Sequence, residues 1–258
     1  MLTRKNVNII FLLGLIVSLA LAIFKQIPWT VFALLGACWF LLTLGGSFFI
    51  QWNYHIRSLN SNSEIAKPQV SITFDDGPHP EFTPMALTLL KQYNAKATFF
   101  CIGKNIEKYP ELFKEIIRQG HTVGNHTFSH ANTFGFFGTV KVMEELSQTN
   151  DLVHSLTDLK MKLYRPAFGV TNPSIARAVE KLHLNSIGWN VRSLDTTYRS
   201  ENQVLKRITT RTQKGAIILL HDTSAKSMAV LERLLVFLEE RKLKSVTVDQ
   251  LFQIRAYE

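Results

Sequence analysis

Two aspartates, Asp75 and Asp76, stand side by side in the stretch TFDDGPHP, directly after the apolar run VSITF. Neighbouring carboxylates repel one another, and burying a carboxylate is costly unless it is paired with a cation or binds a metal. Asp and Gly are also ordinary turn residues, so a solvated turn is the simplest interpretation. The choice depends on which polar residues the rest of the chain can bring to the same place.

A second reactive group is the histidine pair of the stretch NHTFSH, His126 and His130. Histidines four positions apart share one face of a helix, where both can bind a single metal ion. With a carboxylate as third ligand, such a site keeps positions open for water and substrate, which is typical of catalytic centres. Zinc or another borderline divalent ion would lower the pKa of its water from about 15.7 towards roughly 7. One aspartate can be the ligand while the other accepts the proton.

Three further residues could complete such a site, each in a polar stretch: Arg165 in RPAFG, Asp195 in WNVRSLDT and His221 in HD. Arg165 is always charged and can pair with the carboxylate that acts as base. His221 can protonate a leaving nitrogen, and a neighbouring acid such as Asp195 can orient its imidazole. A lone histidine or turn aspartate is more often structural, so the position of these residues along the chain decides their meaning.

From residue 69 the chain alternates between short apolar runs and amphipathic stretches. Seven runs resemble strands: 69–74, 97–102, 121–125, 161–164, 185–191, 215–220 and 245–248. Helix signals fill the gaps, among them PELFKEIIRQG, with Pro at its start and Gly at its end, and a capping-box pattern, SENQ, at 200–203. This alternation predicts a parallel sheet, either a barrel or doubly wound. In both, working residues lie at the C-terminal ends of strands, and five of the seven runs end in them.

The first 54 residues predict a transmembrane hairpin. Residues 6–24 and 26–54 carry no charge, and they predict spans of about 7–24 and 30–50, near the roughly 20 residues that a bilayer requires. Both are apolar on all sides, unlike the amphipathic core helices of soluble proteins. The first segment is marginal in length, and ALA at 20–22 resembles a signal-peptidase site, so its cleavage is an alternative.

Basic residues flank the hairpin unequally. Its outer ends carry Arg4, Lys5, Arg57 and Lys67, and the connector KQIPW carries Lys25. The positive-inside rule then places both ends in the cytoplasm. Cleavage after Ala22 would leave the domain on the same side, and only the failure of one segment to span would turn it outward. The Ser/Asn-rich residues 55–68 predict a linker, followed by a catalytic domain at 69–258.

Composition excludes several other classes of protein. The formal net charge is +9, and residues beyond 50 carry 26 basic and 20 acidic side chains, a mild surplus. We find no basic run with interleaved aromatics, so no nucleic-acid partner is expected. Cys38 and Cys101 indicate neither a disulfide framework nor a CxxC site, which weakly favours a reducing compartment.

The motifs TFDDGP and HTFSH, in this order and spacing, resemble those of the polysaccharide deacetylase family, carbohydrate esterase family four, which includes the nodulation chitooligosaccharide deacetylase. The resemblance extends over about residues 68–250. It implies a distorted (β/α) barrel of about seven parallel strands. It also implies metal-dependent removal of N-acetyl or related acyl groups from sugars, with Zn²⁺ as the expected ion and Co²⁺, Ni²⁺ or Mn²⁺ as alternatives.

The resemblance further implies roles for the residues that match the family motifs. Asp75 corresponds to the general base, and Arg165 would hold it in place. Asp76 would bind the metal together with His126 and His130.

The remaining positions correspond to the general acid and the acyl pocket. His221 would be the general acid, tuned by Asp195. The Phe168 backbone N–H would stabilise the oxyanion, and Leu219 would line the acetyl pocket. Trp189 would supply an aromatic wall. The chain departs from the family pattern at Ala167, Asn190 and Thr196, where Pro, Asp and Trp are common.

Two other functions stay open beside the deacetylase. A glycan-binding module could keep the metal pocket without catalysis, although a pure binder has no need of an acid and a base. A membrane scaffold could use the hairpin to anchor partners, and it predicts no metal. For the enzyme, the substrate would be an acylated amino sugar in a polysaccharide or oligosaccharide, or a polyprenyl-linked sugar at the bilayer. We expect Asp222, beside His221, to cap the next helix.

Overall fold

The computed structural model of the chain describes residues 2–24 and 26–258. Its N-terminal part is a pair of antiparallel helices, α1 (Arg4–Ile23) and α2 (Thr30–Phe48). The indole N–H of Trp39 donates to Asn8 Oδ1 at 2.9 Å and ties the two helices together. Only 11% of the most apolar 18-residue stretch of α1, and 6% of that of α2, is buried in the protein, so their apolar surfaces are largely uncovered. Both helices are candidate membrane spans by length and composition.

The end of this helix pair opposite the connector, where α1 begins and α2 ends, is held together by contacts with Tyr54. The Arg4 N–H donates to the Tyr54 carbonyl at 2.9 Å, and the Tyr54 hydroxyl lies 3.0 Å from Thr43 Oγ1. The Tyr54 ring also lies against the Gly46 backbone, where an added Cβ would approach within 2.3 Å of the ring. The beginning of α1 and the end of α2 therefore meet at one place.

The larger part of the chain is an incompletely closed barrel of parallel strands surrounded by helices. Its strands are β1 (Ser58–Leu59), β2 (Gln69–Asp75), β3 (Ala97–Cys101), β4 (Thr122–Asn125), β5 (Leu163–Tyr164), β6 (Asn185–Ile187), β7 (Val191–Arg192), β8 (Ile217–His221) and β9 (Lys244–Ser245). They pair in the order β1-β6-β5-β4-β3-β2-β8-β7, and β9 pairs with β2. The prediction of a distorted parallel (β/α) barrel is confirmed.

Among the described residues, seven helices connect these strands: α3 (Phe82–Gln92), α4 (Gly103–Lys108), α5 (Pro110–Arg118), α6 (Thr139–Thr157), α7 (Pro173–Lys181), α8 (Glu201–Thr209) and α9 (Ala225–Glu240). An eighth helix, α10 (Val248–Phe252), follows β9. The predicted capping box begins α8, where Ser200 and Gln203 bond to each other's backbone. The core lies between β2, β3 and β8 on one side and α3 and α9 on the other. Phe74 and Phe99 stack there with ring centroids 4.8 Å apart.

The strands differ from the predicted runs in two places. The run 185–191 is two strands, because Gly188 and Asn190 leave the ladder between them. An added Cβ at Gly188 would lie 2.0 Å from Asn60 Oδ1, and the Asn190 side chain accepts from the Ile217 N–H at 2.9 Å. The run 245–248 contributes only β9, and its last residue begins α10.

Residues 55–68, whose composition predicts a linker, run along the barrel wall. Within this segment β1 pairs in parallel with β6. The Asn62 N–H donates to the Gly215 carbonyl at 2.8 Å, and its side chain donates to the Leu251 carbonyl at 2.7 Å. The Ser and Asn residues are therefore hydrogen-bonding groups that attach the segment, and the domain boundary near residue 69 stays a prediction.

Candidate active site

The ends of six strands, β2, β4, β5, β6, β7 and β8, meet at one pocket of about 270 Å³. Parallel strands bring their carboxyl ends to a single edge, and side chains of unrelated segments converge there. The residues that line the pocket are Asp75, Asp76, His126, His130, Phe168, Gly169, Trp189, Arg192, Leu194, Thr196, Thr197, Leu219 and His221. Two further predicted residues, Arg165 and Asp195, are fully buried behind this surface.

One group in the pocket has the composition of a metal site. The Oδ1 atom of Asp76 lies 3.4 Å from Nε2 of His126 and 3.4 Å from Nε2 of His130. The three ligand atoms all lie within 4.8 Å of one another. Asp76 Oδ1 and His130 Nε2 are buried without a hydrogen-bond partner among the described residues. Two imidazole nitrogens and a carboxylate oxygen around one point, two of these three atoms without a hydrogen-bond partner, fit a divalent ion.

His126 and His130 reach this point from a loop, and the prediction that they share a helix face is wrong. Residues 126–133 contain no helix, and the backbone is left-handed at Thr127 (φ 66°) and His130 (φ 48°). Two left-handed residues fold the loop back on itself, so the four-residue spacing brings the imidazoles together without a helix. Their ring centroids are 4.8 Å apart.

The buried carboxylate of Glu145, on α6, holds this loop. It accepts from the N–H of Phe128 at 3.1 Å and from the N–H of Ser129 at 2.7 Å, and it also accepts from the Ser129 hydroxyl. Sequence reasoning missed Glu145, because the amphipathic pattern of α6 does not distinguish it from its exposed neighbour Glu144. The Nδ1 atom of His126 lies 2.9 Å from the Arg165 carbonyl, which leaves Nε2 directed towards Asp76.

Asp75 and Asp76 have different partners, as expected, because the backbone turns between them. Asp75 ends β2, whereas Asp76 is left-handed with φ 73°. Aspartate tolerates this conformation better than most residues, and the turn swings its side chain away from that of Asp75. The Gly77 backbone lies against Asp222, where an added Cβ would meet Oδ2 at 2.6 Å.

Arg165 is the cation that holds Asp75. Its Nη1 donates to Asp75 Oδ1 at 2.9 Å and to Thr73 Oγ1 at 2.6 Å. Its other guanidinium nitrogens donate to two carbonyls where β6 ends, at Ile187, the last residue of the strand (3.2 Å), and at Gly188, the first residue after it (2.8 Å). The interruption of the predicted fifth strand thus supplies two acceptors for a buried arginine. The second oxygen of Asp75, Oδ2, lies 4.0 Å from His126 Nε2.

His221 is bonded to Asp195 on the other side of the pocket. The Nδ1 atom of His221 lies 2.8 Å from Asp195 Oδ1, and the His221 N–H donates to Oδ2 at 2.9 Å. Asp195 also accepts from the hydroxyls of Ser193 (2.7 Å) and Ser227 (2.8 Å), so the buried carboxylate has four donors. Sequence reasoning missed both serines, Ser193 two positions from Asp195 and Ser227 32 positions from it.

The surroundings set the charge state of these groups. Burial opposes protonation of His221, but the bond to Asp195 outweighs it and raises the pKa of His221 to about 9. Burial, followed by the repulsion of His126, lowers the pKa of His130 to about 4. Burial opposes ionisation of Asp76, yet the nearby histidines, His126 above all, hold the pKa of its carboxyl well below the usual range. Asp76 is therefore a carboxylate and His130 a neutral imidazole at pH 7, as ligands must be.

Asp222 is not the helix cap that its position suggested. The N-cap of α9 is Ser224, whose side chain accepts from the Ser227 N–H. Asp222 is fully buried, and its carboxylate accepts from the Thr83 hydroxyl. Burial raises the pKa of Asp222 to about 7. Strand β8 runs one residue further than predicted and ends at His221. The side chain of Asp222 is therefore buried in the interior before α9 begins.

Three residues form the wall of the pocket around these groups. Phe168 is left-handed (φ 58°), its ring packs on His130 with centroids 4.4 Å apart, and its backbone N–H has no acceptor among the described residues. Trp189 and Leu219 are almost entirely buried and expose only their inner edges to the pocket. The structure therefore brings every predicted site residue to the pocket or directly behind it.

The fold and the site together define an enzyme of the parallel α/β barrel class, with acidic, basic and imidazole side chains at its strand ends. The chain belongs to the polysaccharide deacetylase family, whose sequence pattern matches residues 62–187. Members of this family named among its relatives are hydrolases that act on N-acetylated sugars.

Relatives at the sequence and structure levels agree. The chain is 31% identical over 191 residues to a peptidoglycan-N-acetylglucosamine deacetylase of Bacillus cereus, which covers 72% of this chain and 69% of that protein. It is 33% identical over 166 residues to a chitooligosaccharide deacetylase of Azorhizobium caulinodans, with 64% and 79% covered. A crystal structure of a peptidoglycan N-acetylglucosamine deacetylase has a TM-score of 0.72 at 30% identity and covers 78% of this chain and 94% of that chain.

Proposed function

We propose that this protein uses a divalent metal ion to remove an N-acetyl or related acyl group from an amino sugar. One observation carries the proposal: the Asp-His-His group, with Asp76 Oδ1 and His130 Nε2 unpartnered, lies between two separately partnered groups, Asp75 with Arg165 and His221 with Asp195. A ligand set alone would suit a binding protein. A ligand set with a carboxylate on one side and an oriented imidazole on the other suits hydrolysis.

Asp76, His126 and His130 would hold the metal. Zn²⁺ suits two nitrogens and one carboxylate oxygen, and Co²⁺, Ni²⁺ and Mn²⁺ are alternatives. When bound, the ion would acidify a water molecule and polarise the amide carbonyl of the substrate.

Asp75 would accept a proton from the attacking water. Arg165 occupies Oδ1 and fixes the carboxylate, while Oδ2 lies on the side of the ligand group, 4.0 Å from His126 Nε2. A base held in this way needs no reorientation before the proton moves. Oδ2 of Asp75 would therefore be the atom that accepts the proton of the water.

His221 would protonate the departing amine through Nε2, because Nδ1 is engaged with Asp195. The Phe168 N–H would donate to the oxygen that becomes negative during attack, since it has no acceptor among the described residues. Leu219 and Trp189 would enclose the methyl end of the acyl group, where a small apolar surface fits.

For the substrate, we propose an acylated amino sugar in a glycan, as the names of the relatives support. A polyprenyl-linked sugar is a specific candidate, because the helix pair packs directly against the wall of the site. The Thr171 N–H donates to the Ser47 carbonyl of α2 at 2.9 Å, and Gln51 donates to the Trp189 carbonyl at 2.8 Å. These contacts would hold the pocket close to the bilayer surface.

We further propose that α1 and α2 span the membrane and that the catalytic domain faces the cytoplasm. Basic residues at the open end of the hairpin support this side. A C-terminal fusion to a reporter enzyme that is active only outside the cytoplasm tests it, and strong reporter activity would contradict it. In that case a cell-wall or extracellular glycan becomes the substrate to test first.

The central experiment measures metal content and hydrolysis on the full-length protein. We expect about one divalent ion per chain and release of acetate from N-acetylglucosamine oligomers or from lipid-linked N-acetylated sugars. Asp75→Asn is the matched control, since it removes the base without removing a ligand. Metal without turnover on either substrate would favour the glycan-binding alternative, and absence of metal would favour the scaffold.

A further inference from the structure

A second cavity, of about 660 Å³, lies where the helix pair joins the barrel. The first residues of α1 form one side, and residues 53–57, which follow α2, form the other. It is separate from the catalytic pocket and shares no lining residue with it. The bond from the Arg4 N–H to the Tyr54 carbonyl holds the two sides together.

The charge of this cavity is positive and uncompensated. Arg4, Lys5 and Arg57 line it, and no carboxylate does. None of the three cations forms an ion pair with a carboxylate in the described ranges, 2–24 and 26–258. Glu180 lines an adjoining cavity that shares His55, Ile56 and Arg57 with this one. Three like charges around one space repel one another until an anion enters.

The uncharged lining residues add hydrogen-bonding groups. His55 Nε2 lies 3.1 Å from Ser47 Oγ, which fixes the ring, and Nδ1 has no partner among the described residues. Burial, followed by the charge of Arg4, lowers the pKa of His55 to about 4, so the ring is neutral at pH 7. The Ser47 hydroxyl donates to the Thr43 carbonyl, so Nε2 of the neutral ring donates to Ser47 Oγ, and Nδ1 is an acceptor that adds no charge to the cavity.

We propose that this cavity binds the phosphate headgroup of an anionic membrane lipid, and this inference rests on the proposed membrane insertion. Guanidinium groups pair with phosphate oxygens in a bidentate geometry, and lysine adds a compact charge. The position also favours a lipid over a soluble phosphate. Exposed apolar side chains flank the cations, Leu2 just before α1 and Ile9 within it, and offer a surface for acyl chains.

The test measures lipid retention by the full-length protein in detergent micelles, where membrane orientation has no effect. Native mass spectrometry would count phosphatidylglycerol and, separately, zwitterionic phosphatidylcholine on each variant. We expect preferential retention of one phosphatidylglycerol. The triple variant Arg4→Gln/Lys5→Gln/Arg57→Gln should weaken it by about fivefold per cation removed, or about a hundredfold in all. The control Lys91→Gln/Lys108→Gln/Lys181→Gln makes the same charge change outside the cavity and should retain the lipid.

Two further measurements keep the result decisive. Arg57→Gln alone leaves α1 intact, and it should lose about fivefold in retention even if the triple variant does not fold. Alkaline extraction of membranes tests separately whether α1 and α2 are inserted in the bilayer. Because lipid retention is measured without any turnover, a failed lipid test can be told apart from a failure of the proposed deacetylase activity. Three results would overturn the assignment. These are equal retention of both lipids, unchanged retention by the Arg4/Lys5/Arg57 triple variant and by Arg57→Gln, and displacement of the lipid by an equal concentration of inorganic phosphate.

Discussion

Asp195 holds Nδ1 of His221 at 2.8 Å and leaves Nε2 as the ring nitrogen that faces the pocket, 4.0 Å from Asp76 Oδ2. The same carboxylate accepts the His221 backbone N–H, so both the position and the tautomer of the ring depend on it. If His221 is the general acid, its working pH range is set largely by Asp195.

Replacement of Asp195 by Asn should therefore move the alkaline limb of the pH–rate profile to lower pH. Asp195 raises the pKa of His221, and a general acid works only while it is protonated, so a lower pKa ends activity earlier as the pH rises. The rate at the optimum should fall by about 10²–10⁴, the range for loss of a positioned proton donor. The profile of kcat/KM is the measurement, and an unchanged alkaline limb would contradict the role of His221.

Asp75→Asn and His126→Ala should separate the base from the metal site. Asp75→Asn leaves the Asp-His-His group intact, so metal stays bound while turnover falls by about 10²–10⁴. His126→Ala removes one of three ligands, and the protein should lose its metal together with its activity. Metal analysis beside an acetate-release assay tests both, and wild-type activity in either variant would falsify the assignment.

Arg165→Met should destabilise the fold by about 3–5 kcal/mol, because it leaves the Asp75 carboxylate buried without its cation. Arg165 is fully buried and also donates to Thr73 and to the carbonyls of Ile187 and Gly188. The measurement is the midpoint of thermal unfolding in detergent. The control is Arg118→Met, at an exposed ion pair, which should change stability by about 1 kcal/mol or less. Equal midpoints for the two variants would show that the buried pair is not required.

Glu145→Gln should weaken metal binding by about tenfold to a hundredfold, the usual effect of losing a residue that orients ligands. The variant keeps the size of the side chain but replaces one acceptor oxygen that holds the loop between His126 and His130. Metal titration of the apoprotein is the readout. Glu144→Gln, an adjacent and exposed change on the same helix, should leave the affinity unchanged, and the idea fails if the two variants titrate alike.

The sequence alone determined the class of the fold and the identity of most groups in the site. Strand-like runs alternate with helix signals from residue 69 onward, and reactive side chains such as Asp75 and Asp76 stand at the ends of those runs. These features are local, because burial periodicity, helix caps and strand ends depend on residues that are only a few positions apart. The capping box at Ser200 was predicted for the same reason and is present.

Only the tertiary structure decided how these groups are held. His126 and His130 meet on a left-handed loop, and the buried Glu145 that secures it lies on another element. The break at Gly188 exists because Asn60 packs against it, which no local pattern reveals. Arg4 and Arg57 line one cavity although they lie far apart along the chain. Side-chain partners across such separations depend on how the elements pack, whereas sequence periodicity reports only which face of each element is buried.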